Sequence, residues 1–180
     1  MDISASEKKV SNYELITEIA NECFMPLSYG GNIDSLEKIE KILKIGVEKV
    51  CINSHSRNYN FVSSAVKKFG SSTVSICVDY KNINDKSIVF FSNGKEKSNF
   101  FIEDHIQKLN NLKVGEIIIQ NIEKDGTYND YDIKTLKKIK NLVNNPIVIA
   151  GGCENISSIK KGFSNGANAC AAGSLFVYYT

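Results

Sequence analysis

Two segments decide the fold: PLSYGGNIDSLEKIEKILKIGVEKVCINS, residues 26–54, and PIVIAGGCENISSIKKGFSNGANACAAGS, residues 146–174. Each begins with a short apolar run that ends in a glycine pair, Gly30-Gly31 in the first and Gly151-Gly152 in the second. Each continues through a stretch of helical period to a single glycine, Gly46 or Gly166. A second apolar run then ends in Asn53-Ser54 or Gly173-Ser174. The glycine pairs are offset by 121 residues and the serines by 120, so one deletion brings the segments into register. Strand, helix and turn repeat together, which points to two matching βαβ units in a barrel of similar halves rather than an open doubly wound sheet.

Working outward, the same alternation covers the rest of the chain. Apolar, β-branched runs at 25–29, 49–53, 73–79, 116–121, 146–150 and 167–173 read as strands. Helical periods lie at 34–45, 57–69, 100–113, 132–144 and 154–165. Asp34, with Glu37 three residues on, opens the first helix as a carboxylate cap, and Gly46 closes it. Asp132 opens the fourth, with Pro146 just past its end. A Ser92-Asn93-Gly94 turn between 88–91 and 100–102 predicts a small hairpin. Near-continuous apolar strands separated by helices imply a parallel sheet covered on its outer face.

Composition narrows the function. The 180 residues are 42% hydrophobic and 23% charged, with a formal net charge of +2. That suits one folded domain over residues 1–180 and supplies no field to recruit nucleic acid or an anionic membrane. No apolar run approaches the length of a spanning helix, and the polar amino terminus carries no secretory signal. Five cysteines without CxxC spacing and only two histidines argue against a zinc cage or a disulfide framework. These features predict a cytoplasmic protein that needs no metal or other cofactor.

In a (βα)₈ barrel the working residues sit at the carboxyl ends of the strands. Those ends here are Gly30-Gly31-Asn32, Asn53-Ser54, Asp79, Gln120-Asn121 followed by Asp125-Gly126-Thr127, Gly151-Gly152 and Gly173-Ser174. Glycine pairs before a helix expose backbone N–H groups that receive a phosphate without Lys or Arg. Two such pairs suggest a ligand with a phosphate at each end. Asp79 closes an apolar strand, where partial desolvation suits a carboxylate to general acid–base work. A cap or an ion pair with Lys81 explains it equally well, and Asp125 reads equally well as a turn residue. His55 and His105 read as surface or helix residues, the pairs Lys137-Lys138 and Lys160-Lys161 as solvated faces. The strand cysteines read as core packing, with Cys153 alone near the mouth.

The segments MPLSYGGNIDSLEKIEKILKIGVEKVCINS, CVDYK, GEIIIQNIEKDGTYNDYD and PIVIAGG…AAGSLF resemble the HisF family, the cyclase subunits of imidazole glycerol phosphate synthase. The DGT-x₃-YD stretch favours that family over its sister isomerase. The resemblance implies a TIM barrel that takes ammonia from a glutaminase partner and joins it to a bis-phosphorylated ribotide. The products are imidazole glycerol phosphate, on the way to histidine, and an aminoimidazole carboxamide ribotide. Position by position, it implies that Asp79 is one of two catalytic aspartates and that Asp2, Asn53, Gln120, Asn121 and Asp125 line the substrate. One phosphate would sit near Gly31, Ser54 and Gly126, the other near Gly152, Gly173 and Ser174. Lys49 and Glu116, which begin their strands, match members of a charged gate for ammonia.

The departures from the family pattern carry their own expectations. Residues 1–6 resemble the end of the family's second strand, with Asp2 its terminal acid. The barrel is therefore expected to be incomplete, without the first strand, most of the second and the last helix. That first strand would bear the other catalytic aspartate, so the chain alone is expected to show little cyclase turnover. Asn32 stands for a phosphate-loop glycine and Ser98-Asn99 for a Thr-Gly. Gln120-Asn121 replaces a Thr-Ser, which resembles the HisF-like accessory proteins that support amidation of a surface-polysaccharide sugar. Sugar amidation is thus one alternative function, and a catalytically inactive scaffold is another.

Overall fold

A computed structural model describes Asp2, Ala5 and residues 11–178. The order is α1 (Tyr13–Glu22), β1 (Ser28–Tyr29), α2 (Leu36–Lys44), β2 (Lys49–Ile52), α3 (Tyr59–Phe69), β3 (Val74–Ile83), β4 (Lys86–Phe91), β5 (Glu96–Phe101), α4 (Ile102–Asn111), β6 (Glu116–Asn121), α5 (Ile133–Lys140), β7 (Ile147–Ala150), α6 (Ile156–Ser164), β8 (Ala169–Cys170) and α7 (Ser174–Val177). A parallel path β1-β2-β3-β6-β7-β8 forms the sheet, and β4 and β5 hang from β3 as an antiparallel pair. The sheet curls into a half-barrel with helices on its outer face, an incomplete TIM barrel.

Strand alternation dictates which side chains go where. Ile52, Ile76, Ile117 and Ile147 stand in one register row across four strands, and Val78, Ile119 and Ile149 stand in another. All are fully or nearly fully buried, together with Ile39, Ile42, Val62, Ala65, Ile106, Leu109, Leu136 and Ile139 from the helices. The opposite face carries Cys51, Ser75, Cys77, Asp79, Ile118 and Gln120, the inner surface of the curl. A parallel sheet usually buries large apolar chains on both sides; here the outer side carries the buried isoleucine rows and the inner side buries only smaller groups such as Cys51, Cys77 and Ala150.

One carboxylate ties three elements together on the outer side. Asp132 caps α5, accepting from the Thr135 backbone N–H at 3.1 Å and its hydroxyl at 2.8 Å. The same carboxylate accepts from the Tyr80 hydroxyl at 3.2 Å, Asn82 Nδ2 at 2.7 Å and Asn121 Nδ2 at 3.2 Å. Burial alone would raise its pKa, but donors from Asn82, Thr135 and Asn121 outweigh that and hold it below the ordinary carboxylate value.

Several elements differ from the sequence reading for identifiable reasons. Ser35, not Asp34, caps α2 by accepting from the Lys38 N–H at 3.3 Å, while Asp34 pairs with Lys38 Nζ at 2.8 Å. β3 runs on to Ile83 because Asn84 and Asp85 both adopt positive φ (49° and 61°) and make a tight turn into β4. The hairpin thus has two turns, and the Ser92-Asn93-Gly94 turn is the second of them. α1 was not anticipated; it buries only Ile16 and so carries a weak periodic signal. The strand expected at 167–173 is reduced to Ala169–Cys170, and that at 25–29 to Ser28–Tyr29. Of the segment 1–6, only Asp2 and Ala5 lie within the described residues, and Thr180 lies outside them.

Replacing Asp132 with Ala leaves five donors without their acceptor. The expected loss is roughly 3 kcal/mol of unfolding free energy at pH 7, measured by urea denaturation. Because the Asp132 pKa is depressed, its contribution is present above the ordinary carboxylate value and fades as pH falls through the native one. The difference between wild type and variant should shrink on acidification. A constant difference at every pH contradicts the assignment.

Candidate functional site

At the carboxyl ends of β1, β2, β3 and β6 the half-barrel encloses a cavity of about 610 Å³. Asp79 forms its floor. The residue lies just before Tyr80, where the buried part of β3 ends, sits beside Gln120 in the β3–β6 register, and is 7% exposed. Burial pushes its pKa up to about 6; Asn53 and Cys77 at its flanks partly offset this, and the nearby Asp125 charge adds to it. The ion pair with Lys81 envisaged from sequence does not form. The two residues alternate along β3 and share a face, but Lys81 Nζ sits 4.9 Å from the centre of the Phe90 ring instead.

Asp2, Gly31, Asn53, Ser54, Gln120 and Asp125 line the same cavity. Asp2 accepts from the Tyr29 hydroxyl at 3.0 Å, and Gln120 Nε2 donates to Asp125 Oδ2 at 3.2 Å. The Ser54 hydroxyl accepts from the Ser92 N–H at 2.8 Å, joining the β2 loop to the hairpin tip. Asn32 Nδ2 and Asn53 Nδ2 are buried and find no hydrogen-bond partner among the described residues. Asn32 thus offers a spare donor to the cavity, whereas the Asn53 amide lies close enough to Asp79 to favour its carboxylate.

Other expected residues lie elsewhere. Asn121 was assigned to the substrate, but it faces the outer side with Ile117 and Ile119. Its side chain holds Asp132 and accepts from the Glu123 and Lys124 N–H groups. Gly126 sits in the exposed turn after Asp125, outside the cavity wall. Gly152, Gly173 and Ser174 occupy the loops after β7 and β8, on the same rim because the strands are parallel, yet they do not line this cavity. Gly151 and Gly152 adopt φ of 89° and 92°, and a Cβ at either would collide with the Asn121 or Asp130 carbonyl. Their glycine identity is thus fixed by backbone packing at that turn.

At the amino ends of β2 and β6, Lys49 Nζ meets Glu116 Oε2 at 3.1 Å. This half-buried pair lies on the inner side of the curl, at the far end from Asp79. The lysine pairs on α5 and α6 are exposed, as expected. His105 is fully buried, between the Ser56 hydroxyl at 3.1 Å and the Tyr59 hydroxyl at 2.9 Å. Burial drives its pKa down to about 4. Sequence reasoning missed Cys51, His55, Ser92, Asn93 and Lys95 as cavity-lining residues. Strand parity would have found Cys51, which shares a face with Asn53. The hairpin tip arrives through tertiary packing and leaves no local signal.

The histidine biosynthesis protein family matches residues 1–180. The chain belongs to that family. A Leptospira borgpetersenii protein provisionally named imidazole glycerol phosphate synthase subunit HisF is 39% identical over 183 residues, covering 99% of this chain and 72% of the relative. The imidazole glycerol phosphate synthase subunit HisF of Chlorobium phaeovibrioides is 33% identical, covering 98% of this chain and 71% of its own length. A Pseudomonas aeruginosa protein provisionally named subunit hisF2 is 37% identical, with 99% and 73% covered. These relatives are named as subunits of a synthase. Among the described residues of this histidine biosynthesis family member, no helix is long and apolar enough to cross a membrane.

The raised pKa of Asp79 has a consequence for stability. A carboxyl moved from the ordinary 3.8 to about 6 destabilises the ionised fold by up to about 3 kcal/mol. Its favourable contribution is complete below pH 3.8 and is lost as pH rises through about 6. Asp79→Asn, neutral and nearly isosteric, should therefore raise the melting temperature at pH 8 and leave it nearly unchanged at pH 4. A variant that melts earlier at pH 8 contradicts the burial argument.

Proposed function

We propose that this chain is a HisF-type cyclase subunit that binds a bis-phosphorylated ribotide across the rim and handles a proton through Asp79. The observation that carries the reading is a carboxyl group with a pKa near 6, held beside Asn53, Gln120 and Asp125 on the cavity floor. At pH 7 about one Asp79 in ten is protonated, so the same group donates and recovers a proton within one cycle. Gly31 and Ser54, with the free amide of Asn32, would take one phosphate. The Gly152 and Gly173-Ser174 turns, further along the same rim, would take the other. Main-chain and side-chain amides in a partly desolvated site are effective donors to phosphate oxygens.

Lys49 and Glu116, at the opposite end of the inner face, would guard the entry of ammonia from a glutaminase partner docked on that end. Charge neutralised within the pair lets a neutral molecule pass while ions face a desolvation cost. A second reading is favoured by one residue. Gln120 stands where a smaller hydroxyl residue is usual in the histidine-pathway enzymes, and its amide fills the floor beside Asp79. That fits an accessory subunit for amidation of a surface-polysaccharide sugar, using the same ammonia route.

Calorimetric titration with ribotides separates the phosphate requirement. The bis-phosphorylated ribotide should bind at least about tenfold more tightly than either mono-phosphorylated form, the increment of one good phosphate contact. Equal affinities overturn the two-phosphate reading, and tight binding of an unphosphorylated sugar supports the second reading. For the gate, Lys49→Glu sets two carboxylates against each other. It should depress glutamine-driven turnover about tenfold more than ammonium-driven turnover. Equal losses in the two assays reject the gate.

A further inference from the structure

A line of polar contacts crosses the cavity floor from one carboxylate to another. Gln120 Nε2 donates to Asp125 Oδ2 at 3.2 Å. Cys77 Sγ lies 3.7 Å from Gln120 Oε1 and 3.5 Å from Asp79 Oδ1. Charge fixes the polarity of this line. A carboxylate offers only acceptors, so the Gln120 amide must turn its NH₂ towards Asp125; the flipped amide would set oxygen against oxygen. Its Oε1 is then left facing the sulfur. Both neighbours of Cys77 along the line are acceptors, and only a protonated thiol can serve either of them.

We infer that Cys77 is a positioning residue for Asp79: its single S–H, shared between the Asp79 carboxylate and the Gln120 amide oxygen, couples the ionisation of Asp79 to the seating of Asp125. The thiol keeps its proton because Cys51 beside it, complete burial and the Asp79 charge all push its pKa well above the ordinary thiol value. When Asp79 is ionised, the S–H turns to Oδ1. When Asp79 takes a proton, the S–H is released to Gln120 and steadies the amide that holds Asp125. The ionisable groups lining the cavity with Asp79 are Asp2, Cys51, His55, Lys95 and Asp125. Among them, it is the charge of Asp125 that is felt at Asp79, and Gln120 connects Asp125 back to Cys77.

As a catalytic device this coupling rests on the proposed acid–base role of Asp79, so its test reads the proton instead of turnover. The Asp79 carboxyl is titrated by ¹³C NMR in the full chain. Cys77→Ala should move its pKa up by about 0.5 pH unit or more, because a donor to the ionised form is gone. Cys77→Ser keeps a donor and should titrate at or below wild type. Gln120→Leu removes the competing acceptor and should move the Asp79 pKa down. Melting curves check each fold, and Cys77→Val, which leaves no void, replaces the alanine variant should that one fail to fold. If the apolar and serine variants titrate alike, or Gln120→Leu leaves Asp79 where it was, the coupling is wrong. A shifted Asp79 pKa in a chain that binds no ribotide sinks the proposed function and leaves the coupling standing. Normal ribotide binding with an unmoved pKa does the reverse.

Discussion

The register of the parallel strands constrains everything else in this molecule. Side by side and in phase, β2, β3, β6 and β7 send Ile52, Ile76, Ile117, Ile119, Ile147 and Ile149 outward in rows and leave the inward side to Cys51, Ser75, Cys77, Asp79, Ile118 and Gln120. A slip of one residue in any strand would exchange the two sets, burying carboxylates against helices and exposing isoleucines. The outward rows therefore hold the inward residues in place. Asp79 cannot turn away from the cavity without dragging Val78 and Tyr80 out of the core.

A second tier of contacts fixes the loops that complete the site. Asp132 gathers Tyr80 and Asn82 from β3, Asn121 from β6 and Thr135 from α5, so the turn bearing Asp125 is anchored from behind. In front, the Ser92 N–H reaches Ser54, and Arg57 pairs with Glu96 at 2.6 Å while covering the Phe91 ring. The hairpin tip is thereby stitched to the loop after β2. The cavity wall is built from segments distant in sequence, each held by at least one buried or charge-assisted bond.

Much of this was legible in the chain, and the failures have physical causes. The repeat around Gly30-Gly31 and Gly151-Gly152 revealed the βαβ units because both strand ends need residues that tolerate close backbone approach. Strand position alone put Asp79 at the rim but left its role open, and Lys49 and Glu116 were singled out only through the family resemblance. Asn121 was misplaced because two adjacent strand residues cannot both face the cavity; the alternation Ile117, Ile119, Asn121 already assigned it outward. Asp34 lost the cap of α2 to its neighbour Ser35 because a lysine four residues on offered it a better partner. Lys95 and Asn93 reached the cavity through hairpin packing, which no local pattern encodes.

The account makes the concave face at the strands' carboxyl ends the place where an anionic, twice-phosphorylated molecule meets Asp79. The comparison with the HisF subunits of other organisms sets the family, and the geometry of the inner face gives that membership a chemical reading. A crystal structure with the bis-phosphorylated ribotide tests it most directly. The account requires one phosphate against Gly31 and Ser54, the chain of the ligand over Asp79, and the other phosphate towards Gly152 and Gly173. Ligand density on the outer helices, or at the Lys49–Glu116 end with the Asp79 cavity empty, contradicts it.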